Sequence, residues 1–416
     1  MNSSPATASY LESVRRILAA APVHDVHTHL YDPAMGDLLL SGIDEQLVYH
    51  YLVSEAFRQM DVSYDCFWAA SKTEQADYVW QALFVDHSPV SESCRGIITT
   101  LNRLGIDPRK NDLPALRQWF AGQEPQAFLE RVLQLANVAS VCMTNSPFDP
   151  VERPYWERGF ARDPRFRAAL RIDPLLLDWS NAAARLRSMG WNTDGSLNEP
   201  NASEARRFLA DWTRKIGSRY CMVSLPPSFL YPSETPESYL IDHAVLPHCR
   251  EHGQPVALMM GVKRAVNPQL RMAGDGVGRS DLQALENLCA RNPGNRFLVT
   301  CLSRENQHEL VVLARKFRNL HVFGCWWFTN TPQLIEELTT MRLELLGLSF
   351  TPQHSDARVL DQLIYKWDHS REIIARCLAR RYDGLAAGGW RVTEEEIGRD
   401  CQELLGGGFE RFLRCA

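Results

Sequence analysis

The sequence of 416 residues predicts an α/β fold in which buried parallel strands alternate with helices. Short apolar runs recur along the chain, and most are followed by a stretch with helical spacing, such as Glu305–Phe317 and Thr331–Met341. Repeated strand-then-helix units are typical of α/β proteins, and eight such runs favour a closed (β/α)8 barrel of the TIM type over an open sheet. The eight runs are Val23–His29, Val138–Thr144, Ala168–Ile172, Tyr220–Leu225, Pro255–Val262, Arg296–Leu302, Leu320–Cys325 and Leu345–Phe350.

The spacing of the runs is uneven. Residues 31–137 separate the first run from the second, which is far more than a strand–helix unit needs. The segment is rich in helix formers and aromatic residues, as in Glu74–Leu83 and Gln126–Leu135. We therefore expect a helical insertion in the first βα loop, where barrel enzymes place specificity elements.

The C-terminal part of the chain predicts a docked helix over residues 393–413, because Thr393 and Glu396 have the spacing of a capping box. The sequence shows no internal repeat and no low-complexity linker. We therefore expect a single domain over residues 1–416.

The composition excludes several classes of protein. Hydrophobic residues make up 45% of the chain and charged residues 23%, which disfavours disordered and fibrous proteins. The net charge is −5 without a basic stripe, so no nucleic-acid partner is expected. Met1–Ala21 contains no continuous apolar segment, and the 11 cysteines form no Cys-x-x-Cys pair. These features predict a cytoplasmic protein with reduced thiols and no membrane partner.

The first run ends in His27-Thr28-His29. Residues two apart in a strand share a face, so both imidazoles would project together into the mouth of a barrel and could bind one divalent ion. The alternative is a pair of histidines in an ordinary strand. The position on the first strand of a predicted barrel, with Asp25 two residues earlier, favours metal binding.

Asp356 follows the eighth run, on the rim that a closed barrel would bring next to the first strand. A carboxylate there can complete a His–His–Asp site and leave a position open for substrate. Alternatively, Ser355 or Asp356 caps a helix that starts near Arg358. The His-x-His motif across the barrel seam favours the ligand role.

Strands four to six lack the ligands that two-metal hydrolases of this barrel type usually add, a bridging Lys or Glu and two histidines. The corresponding stretches here are 222–225, 257–261 and 298–301, and none supplies such a ligand. The sequence thus predicts one ion held by three residues and argues against a two-metal hydrolase.

Two further features bear on the site. His50 and Tyr51 lie in the helical segment, where such residues are usually packing residues. Arg171 ends the third run at the same rim. A buried arginine there needs an anionic partner, which can be Asp173 or a substrate carboxylate.

Six motifs occur in order along the chain: His27-Thr28-His29-Leu30, His50-Tyr51, Arg171-Ile172-Asp173, Ser303-Arg304-Glu305-Asn306, Gly324-Cys325-Trp326-Trp327-Phe328 and Asp356-Ala357-Arg358. Together they resemble the motif set of uronate isomerases, which belong to the amidohydrolase superfamily. The resemblance runs from about Val23 to Trp367. It is greatest to a divergent bacterial branch, because the commoner branch carries His before Ile-Gly on the fifth strand, where this chain has Met260 before Gly261.

The resemblance implies an enzyme of glucuronate catabolism that interconverts D-glucuronate with D-fructuronate and D-galacturonate with D-tagaturonate. This aldose–ketose shift moves a proton between C2 and C1 through an enediol. Tyr51 is expected to be the base, with Arg358 favouring its phenolate. One divalent ion, zinc, is expected on His27, His29 and Asp356.

Asp356 is also expected to shuttle a proton during ring opening. Arg171 is expected to bind the C6 carboxylate, and His50 to donate a hydrogen bond to a substrate oxygen. Arg304 and Trp326 are expected to contact the substrate. A homo-oligomer is expected.

Two other functions stay open from the residues alone. One is a mononuclear hydrolase or decarboxylase on the same barrel, which needs a water-activating base near the ion, a role for which only Asp356 qualifies. The other is a non-catalytic sugar-acid binding protein, which would not need both Tyr51 and the Asp356–Arg358 pair. Proton exchange at C2 separates the three functions.

Overall fold

A parallel β-sheet of seven strands forms the centre of the computed structural model, which describes residues 10–414. The strand order is β1-β2-β3-β4-β5-β8-β9, so consecutive strands of this sheet are neighbours. The first seven expected runs are confirmed as these strands, and β6 and β7 form a small antiparallel hairpin after β5. The strands are β1 Val23–Thr28, β2 Val138–Asn145, β3 Phe166–Arg171, β4 Ser218–Leu225, β5 Val256–Met260, β6 Val262–Lys263, β7 Gly276–Val277, β8 Phe297–Cys301 and β9 Leu320–Val322.

Buried apolar side chains form two clusters, one on each face of the sheet. Along β4 the clusters alternate, with Tyr220 and Met222 in the smaller cluster and Cys221 and Val223 in the larger one. This alternation follows from the two-residue period of a strand. Buried side chains therefore cover both faces of the sheet. This is expected for parallel strands, which pack against helices on one side.

The expected eighth strand at Leu345–Phe350 is wrong. Leu345 and Leu346 complete a helix that continues to Gly347, whose φ of +62° ends it. The apolar character of this run comes from the last turn of the helix and the turn after it. Only Thr351 forms a bridge to the chain just beyond β9.

Residues 351–357, which we call the seam segment, nevertheless join the two edges of the sheet. The Thr351 amide donates to the Val322 carbonyl at 3.0 Å. At the other edge, the Asp356 amide donates to the His27 carbonyl at 3.2 Å, and the His29 amide donates to the Ala357 carbonyl at 2.7 Å. The sheet is thus curled, and a single stretch of chain is hydrogen-bonded to both of its edges.

Helices occupy most of the remaining chain. The segment between β1 and β2 holds seven α-helices and no strand, and the helices expected at 126–135 and 331–341 are confirmed. The α-helices are α1 Leu11–Ala20, α2 Ile43–Leu47, α3 His50–Ala56, α4 Tyr64–Ala69, α5 Lys72–Trp80, α6 Glu92–Arg103, α7 Leu113–Ala121, α8 Pro125–Ala136, α9 Arg153–Arg158, α10 Asp173–Leu177, α11 Trp179–Ser188, α12 Glu199–Ile216, α13 Pro236–Leu240, α14 Leu246–Glu251, α15 Gln283–Arg291, α16 Gln307–Lys316, α17 Pro332–Leu346, α18 Gln362–Ala387, α19 Glu394–Gln402 and α20 Gly408–Arg414.

Shorter helical turns of the 3-10 type lie at Pro33–Leu38, Pro268–Gly274, Arg304–Asn306 and Trp327–Thr329, and π-type turns lie at Gln81–Val85, Ile241–Val245 and Glu403–Gly407. The helix expected over 74–83 therefore passes into a π-type turn at Gln81. Likewise, the helix expected over 305–317 begins with a 3-10 turn.

The C-terminal helix expected over 393–413 is two helices, α19 and α20. The capping box of Thr393 and Glu396 is present. The break falls at Gly406, whose φ is +121° and where an added Cβ would lie 2.7 Å from the backbone oxygen of His24. Only glycine tolerates both conditions. The chain can therefore turn tightly against β1 before α20 begins.

Helix α20 covers the end of the sheet where the strands start. Glu410 accepts hydrogen bonds from Arg167 and Arg219, which stand near the beginnings of β3 and β4. Phe409 packs against Tyr220 and Phe323 from the same side. The opposite end of the sheet, where the strands finish, is left for the site described next. No helix among residues 10–414 is long and apolar enough to cross a membrane.

Candidate active site and metal centre

Three side chains expected to bind metal converge where β1 meets the seam segment. The Nε2 atoms of His27 and His29 each lie 3.4 Å from Oδ1 of Asp356, and the ligand atoms of all three residues lie within 4.8 Å of one another. Within residues 10–414 this is the only group of three or more His, Cys, Asp or Glu side chains so arranged. The expectation of one three-residue centre thus agrees with the geometry.

The ligand atoms have the character that a metal ion requires. Both ring nitrogens of His27 and Oδ1 of Asp356 are buried and have no hydrogen-bond partner within residues 10–414. Unpaired polar atoms in the interior are costly, and a divalent cation would satisfy them. The residues therefore fit a metal ion.

A hydroxyl fixes the ring of His29. The Nδ1 atom of His29 lies 2.9 Å from Oγ1 of Thr144, and the same hydroxyl donates to the Thr28 carbonyl at 3.2 Å. Because the Thr144 proton is used in that bond, the hydroxyl accepts from Nδ1–H of His29. The neutral ring of His29 then carries its proton on Nδ1, and the lone pair on Nε2 faces Asp356. This tautomer can bind a metal ion through Nε2.

Asp25 holds the seam segment against β1. Its carboxylate accepts from the Ser355 amide at 3.1 Å and from Nε1 of Trp367 at 2.9 Å. Asp356 itself has a φ of +53°, in the left-handed region that a non-glycine residue adopts at a cost. The bonds to Asp25 help to hold the backbone next to this strained residue in place.

The charges of the centre differ from those of free side chains. Burial lowers the pKa of His29 to about 4, so its ring is neutral at pH 7. Burial alone would raise the pKa of Asp356, but the adjacent imidazoles outweigh it and hold that pKa well below its usual range. At neutral pH the centre thus offers the neutral imidazole of His29 and the carboxylate of Asp356, the protonation states required for coordination.

A cavity of about 270 Å³ opens beside the centre. Its walls include the three candidate ligands together with four other predicted site residues, His50, Arg171, Trp326 and Arg358. The structure therefore brings most of the predicted site into one cavity.

Arg171 leaves the end of β3 and faces this cavity. Its Nε and Nη2 atoms donate to the two carboxylate oxygens of Asp173, each at 3.1 Å. Of the two anionic partners considered from the sequence, the carboxylate of Asp173 is therefore in contact. The pair leaves Nη1 of the guanidinium unused, because its hydrogen bonds to Asp173 come only from Nε and Nη2.

Arg358 also lines the cavity, and it forms no ion pair with any carboxylate of residues 10–414. Its Nε atom is buried and has no hydrogen-bond partner in that part of the chain. A guanidinium in this condition is suited to an anionic or strongly polar ligand.

His50 and Tyr51 begin α3, which packs beside the cavity. Burial, followed by the charge of Arg358, lowers the pKa of His50 to about 3, so this ring is neutral and its buried Nε2 is unpaired among the described residues. The centroid of the Tyr51 ring lies 4.4 Å from that of the His50 ring and 6.3 Å from that of the Trp327 ring. Tyr51 does not form part of the cavity wall.

The expected effect of Arg358 on Tyr51 is too small to decide its ionisation in this structure. Burial raises the pKa of the Tyr51 phenol well above 10, the charge of Asp356 raises it further, and Arg358 lowers it only in part. The sequence argument considered the cation and omitted the cost of burying a phenolate.

Arg304, like Tyr51, is a predicted site residue that does not line the cavity. Its guanidinium is directed to the surface, where it pairs with Glu337 at 3.0 Å and its side chain is 59% exposed. Residues of the cavity wall that the sequence analysis missed include Tyr49, Ser224, Met259, Arg264 and Asp275. Arg264 pairs with Asp275 on the hairpin after β5. A cation three residues after Gly261, just past a strand end, was the available indication of this part of the wall.

A parallel α/β sheet with a His-x-His motif at the end of its first strand and an aspartate on its closing segment defines an α/β protein with a candidate metal centre at the ends of its strands. Comparison with solved structures gives the family. The chain is similar to a uronate isomerase from Bacillus halodurans C-125, with 51% identity over 97% of this chain and 96% of that one and a TM-score of 0.95. The chain therefore belongs to the uronate isomerase family.

Two more distant structures share the fold. A glucuronate isomerase from Caulobacter crescentus is 15% identical over 99% of this chain and 95% of its own, with a TM-score of 0.75. A uronate isomerase from Thermotoga maritima is 14% identical over 99% of this chain and 100% of its own, with a TM-score of 0.73. No family model and no curated protein matches the sequence.

Proposed function

We propose that this protein is an aldose–ketose isomerase that interconverts D-glucuronate with D-fructuronate, and D-galacturonate with D-tagaturonate. The observation that carries the proposal is a single cavity that unites the His–His–Asp centre with three arginines and a neutral histidine, in a chain 51% identical to a uronate isomerase. An acidic sugar needs such cations, and an enediol needs polar groups at C1 and C2.

We propose that His27, His29 and Asp356 hold one zinc ion. The bound ion would polarise the sugar carbonyl and offset the negative charge of Asp356. Neutral imidazole and carboxylate ligands suit zinc, and three protein ligands leave a position open for substrate. Asp356 accepts and returns a proton while the sugar ring opens.

Arg171 binds the C6 carboxylate in this proposal. Its Nη1 atom remains available to the substrate, while Asp173 holds the guanidinium in a fixed orientation through its other two nitrogens. The ion pair with Asp173 thus prepares the arginine for binding without using all of its donors. Trp326 supports the substrate from the cavity wall.

Tyr51 removes the proton from C2 and returns it to C1, and the hydroxyl proton of O2 passes to O1, so that the carbonyl moves from C1 to C2. Arg358 favours the phenolate that this step needs. His50 is neutral and donates a hydrogen bond to a sugar oxygen. A carboxylate with the strongly lowered pKa of Asp356 would be a weak base at carbon, which leaves Tyr51 as the stronger candidate.

We also propose that the curled sheet is a (β/α)8 barrel in which the seam segment replaces the eighth strand. Its hydrogen bonds to β1 and to the chain around β9 support this closure. In the same proposal, residues 1–416 form one domain, 31–137 are an insertion in the first βα loop, and the enzyme acts in the cytoplasm as a homo-oligomer.

The test is proton exchange at C2. The purified protein, loaded with zinc, is incubated with D-glucuronate in deuterated water, and deuterium at C2 and the formation of ketose are followed by NMR. Tyr51→Phe should abolish both while retaining the fold and the affinity for D-gluconate, an acid that cannot isomerise. Near-normal exchange in Tyr51→Phe would assign the base elsewhere, and an absence of exchange in the wild-type protein with either uronate would refute the isomerase proposal.

A further inference from the structure

Lys366 is a buried cation that the proposed reaction does not yet use. It lies in α18 with only 3% of its surface exposed, and it forms no ion pair with any carboxylate of residues 10–414. Burial of an ammonium without a counter-ion is costly, so such residues are rare in protein interiors. Its placement therefore calls for a reason beyond packing.

Two tyrosine rings surround the ammonium. The Nζ atom lies 5.7 Å from the centroid of the Tyr51 ring and 5.2 Å from that of Tyr365. Both distances lie within the range of cation–π attraction. An ammonium held between two rings restrains the position of both.

The Tyr365 ring is itself fixed from the other side. It packs against Gly96 of α6, where an added Cβ would lie 2.8 Å from the ring atoms. The absence of a side chain at Gly96 therefore lets the ring lie flush against α6. Through Lys366, this rigid arrangement is connected to the Tyr51 ring.

Most of the groups that face Tyr51 disfavour its phenolate form. Burial, Tyr49, Asp356 and Tyr365 all disfavour the phenolate, and Arg358 favours it. The titratable and charged groups around this phenol are Tyr49 and His50 on its own helix, Asp356 and Arg358 from the seam segment and the residues after it, and Tyr365 and Lys366 from α18.

We propose that Lys366 is a positioning residue for Tyr51: its ammonium fixes the Tyr51 ring and favours the phenolate over the phenol. This inference rests on the proposed role of Tyr51 as the base at C2. Lys366 acts through the tyrosine, at a distance from the sugar. It is therefore expected to change the rate of proton transfer and leave substrate binding unaltered.

The first experiment measures Tyr51 directly and does not depend on activity. 3,5-Difluorotyrosine, whose phenol is more acidic than that of tyrosine, is introduced at position 51 of the zinc-loaded protein, and its ionisation is followed by 19F NMR against pH. Lys366→Met should raise the midpoint by about one to two pH units, because a cation near the ring is lost. Lys366→Arg should keep most of the wild-type midpoint. Lys366→Gln is a second neutral variant, in case the methionine variant does not fold.

Lys215→Met is the matched control. Lys215 also places its ammonium over an aromatic ring, 4.6 Å from the centroid of Trp212, but it lies on α12 and outside the cavity wall. This variant loses one cation–π contact and an ion pair with Asp211, and it should leave the Tyr51 midpoint unchanged. An unchanged midpoint in both Lys366→Met and Lys366→Gln would overturn the proposal.

The second experiment measures C2 proton exchange with D-glucuronate at pH 7. Lys366→Met should slow exchange at least about tenfold, in line with one pH unit of lost ionisation, while the Kd for D-gluconate stays within about twofold. Wild-type exchange in this variant would overturn the proposal. If the wild-type protein itself shows no exchange, the isomerase proposal fails, and the 19F titration still decides whether Lys366 acts on Tyr51.

Discussion

Replacing Thr144 with valine tests how the metal centre is held. Thr144 is not a ligand, and its contact with the centre is the 2.9 Å hydrogen bond to Nδ1 of His29. Valine has nearly the same shape and removes only the hydroxyl. The Nδ1–H group of His29 then has no partner in a largely buried position, and its ring is free to turn or to adopt the tautomer that cannot bind metal.

The size of the effect follows from these contacts. A buried donor that loses its partner costs about 1–3 kcal/mol. Loss of the residue that orients a metal-bound histidine lowers metal affinity by about 10–100-fold, which corresponds to roughly 1.4–2.7 kcal/mol. The free-energy costs from these two arguments fall in the same range. Thr144→Val should therefore weaken zinc binding by about 10–100-fold and leave the fold of the metal-free protein intact.

The assay is competition for zinc against a chromophoric chelator at pH 7. Thr100→Val is the matched control, because Thr100 is fully buried in α6 and its hydroxyl has no hydrogen-bond partner within residues 10–414. The same chemical change there should leave zinc affinity unaltered. A Kd for Thr144→Val within about twofold of wild type would refute the idea that this hydroxyl orients His29.

Three further predictions concern binding, acid stability and the base of the sheet. Arg171→Met should raise the KM for D-glucuronate by about 30-fold. This corresponds to about 2 kcal/mol, the lower end of the range of about 2–5 kcal/mol for a desolvated charge pair, because Asp173 already shares the guanidinium. Inhibition by a neutral hexose should change little. Burial lowers the pKa of His321 to about 3. As the pH falls below about 6.5, the unfolded chain therefore binds a proton at this residue while the folded chain does not, and the free energy of unfolding decreases. Urea unfolding should therefore show that His321→Gln removes about 2.5 kcal/mol of the loss in stability between pH 7 and pH 4.5. An identical loss in the variant would contradict this. Gly406→Ala, whose Cβ would lie 2.7 Å from a backbone oxygen, should lower the free energy of unfolding by roughly 1–3 kcal/mol, while Gly384→Ala, with no atom within 4 Å of the added Cβ, should not lower it.

The convergence of the three candidate ligands could be predicted from the sequence because it depends on local rules. Strand periodicity places His27 and His29 together, and the order of units along a barrel brings Asp356 to the same edge. These rules need no knowledge of packing. The two histidines and the aspartate converge accordingly.

Other features depend on tertiary packing, and the sequence misplaced them. The run at 345–350 is apolar both as a strand and as the end of a helix, and only Gly347 marks the difference. Arg304 lies three residues after the end of β8, and Arg171 is the last residue of β3, but the Arg304 side chain turns outward to Glu337. The ionisation of Tyr51 is governed by burial, which no pattern of neighbouring residues reveals.

The position of the metal centre across the seam has a consequence for assembly of the enzyme. Asp25 and Ser355, whose hydrogen bond accompanies the centre, are 330 residues apart in the chain. In the proposed zinc-bound form, an ion shared by β1 and the seam segment would link the two ends of a very long loop, whose closure costs entropy. Ion binding and closure of the seam are therefore linked reciprocally. A change that loosens the seam lowers the affinity for the ion, and every tenfold gain in that affinity stabilises the closed form by about 1.4 kcal/mol at saturating metal. Scarcity of metal would then appear as a loss of folded protein as well as a loss of turnover.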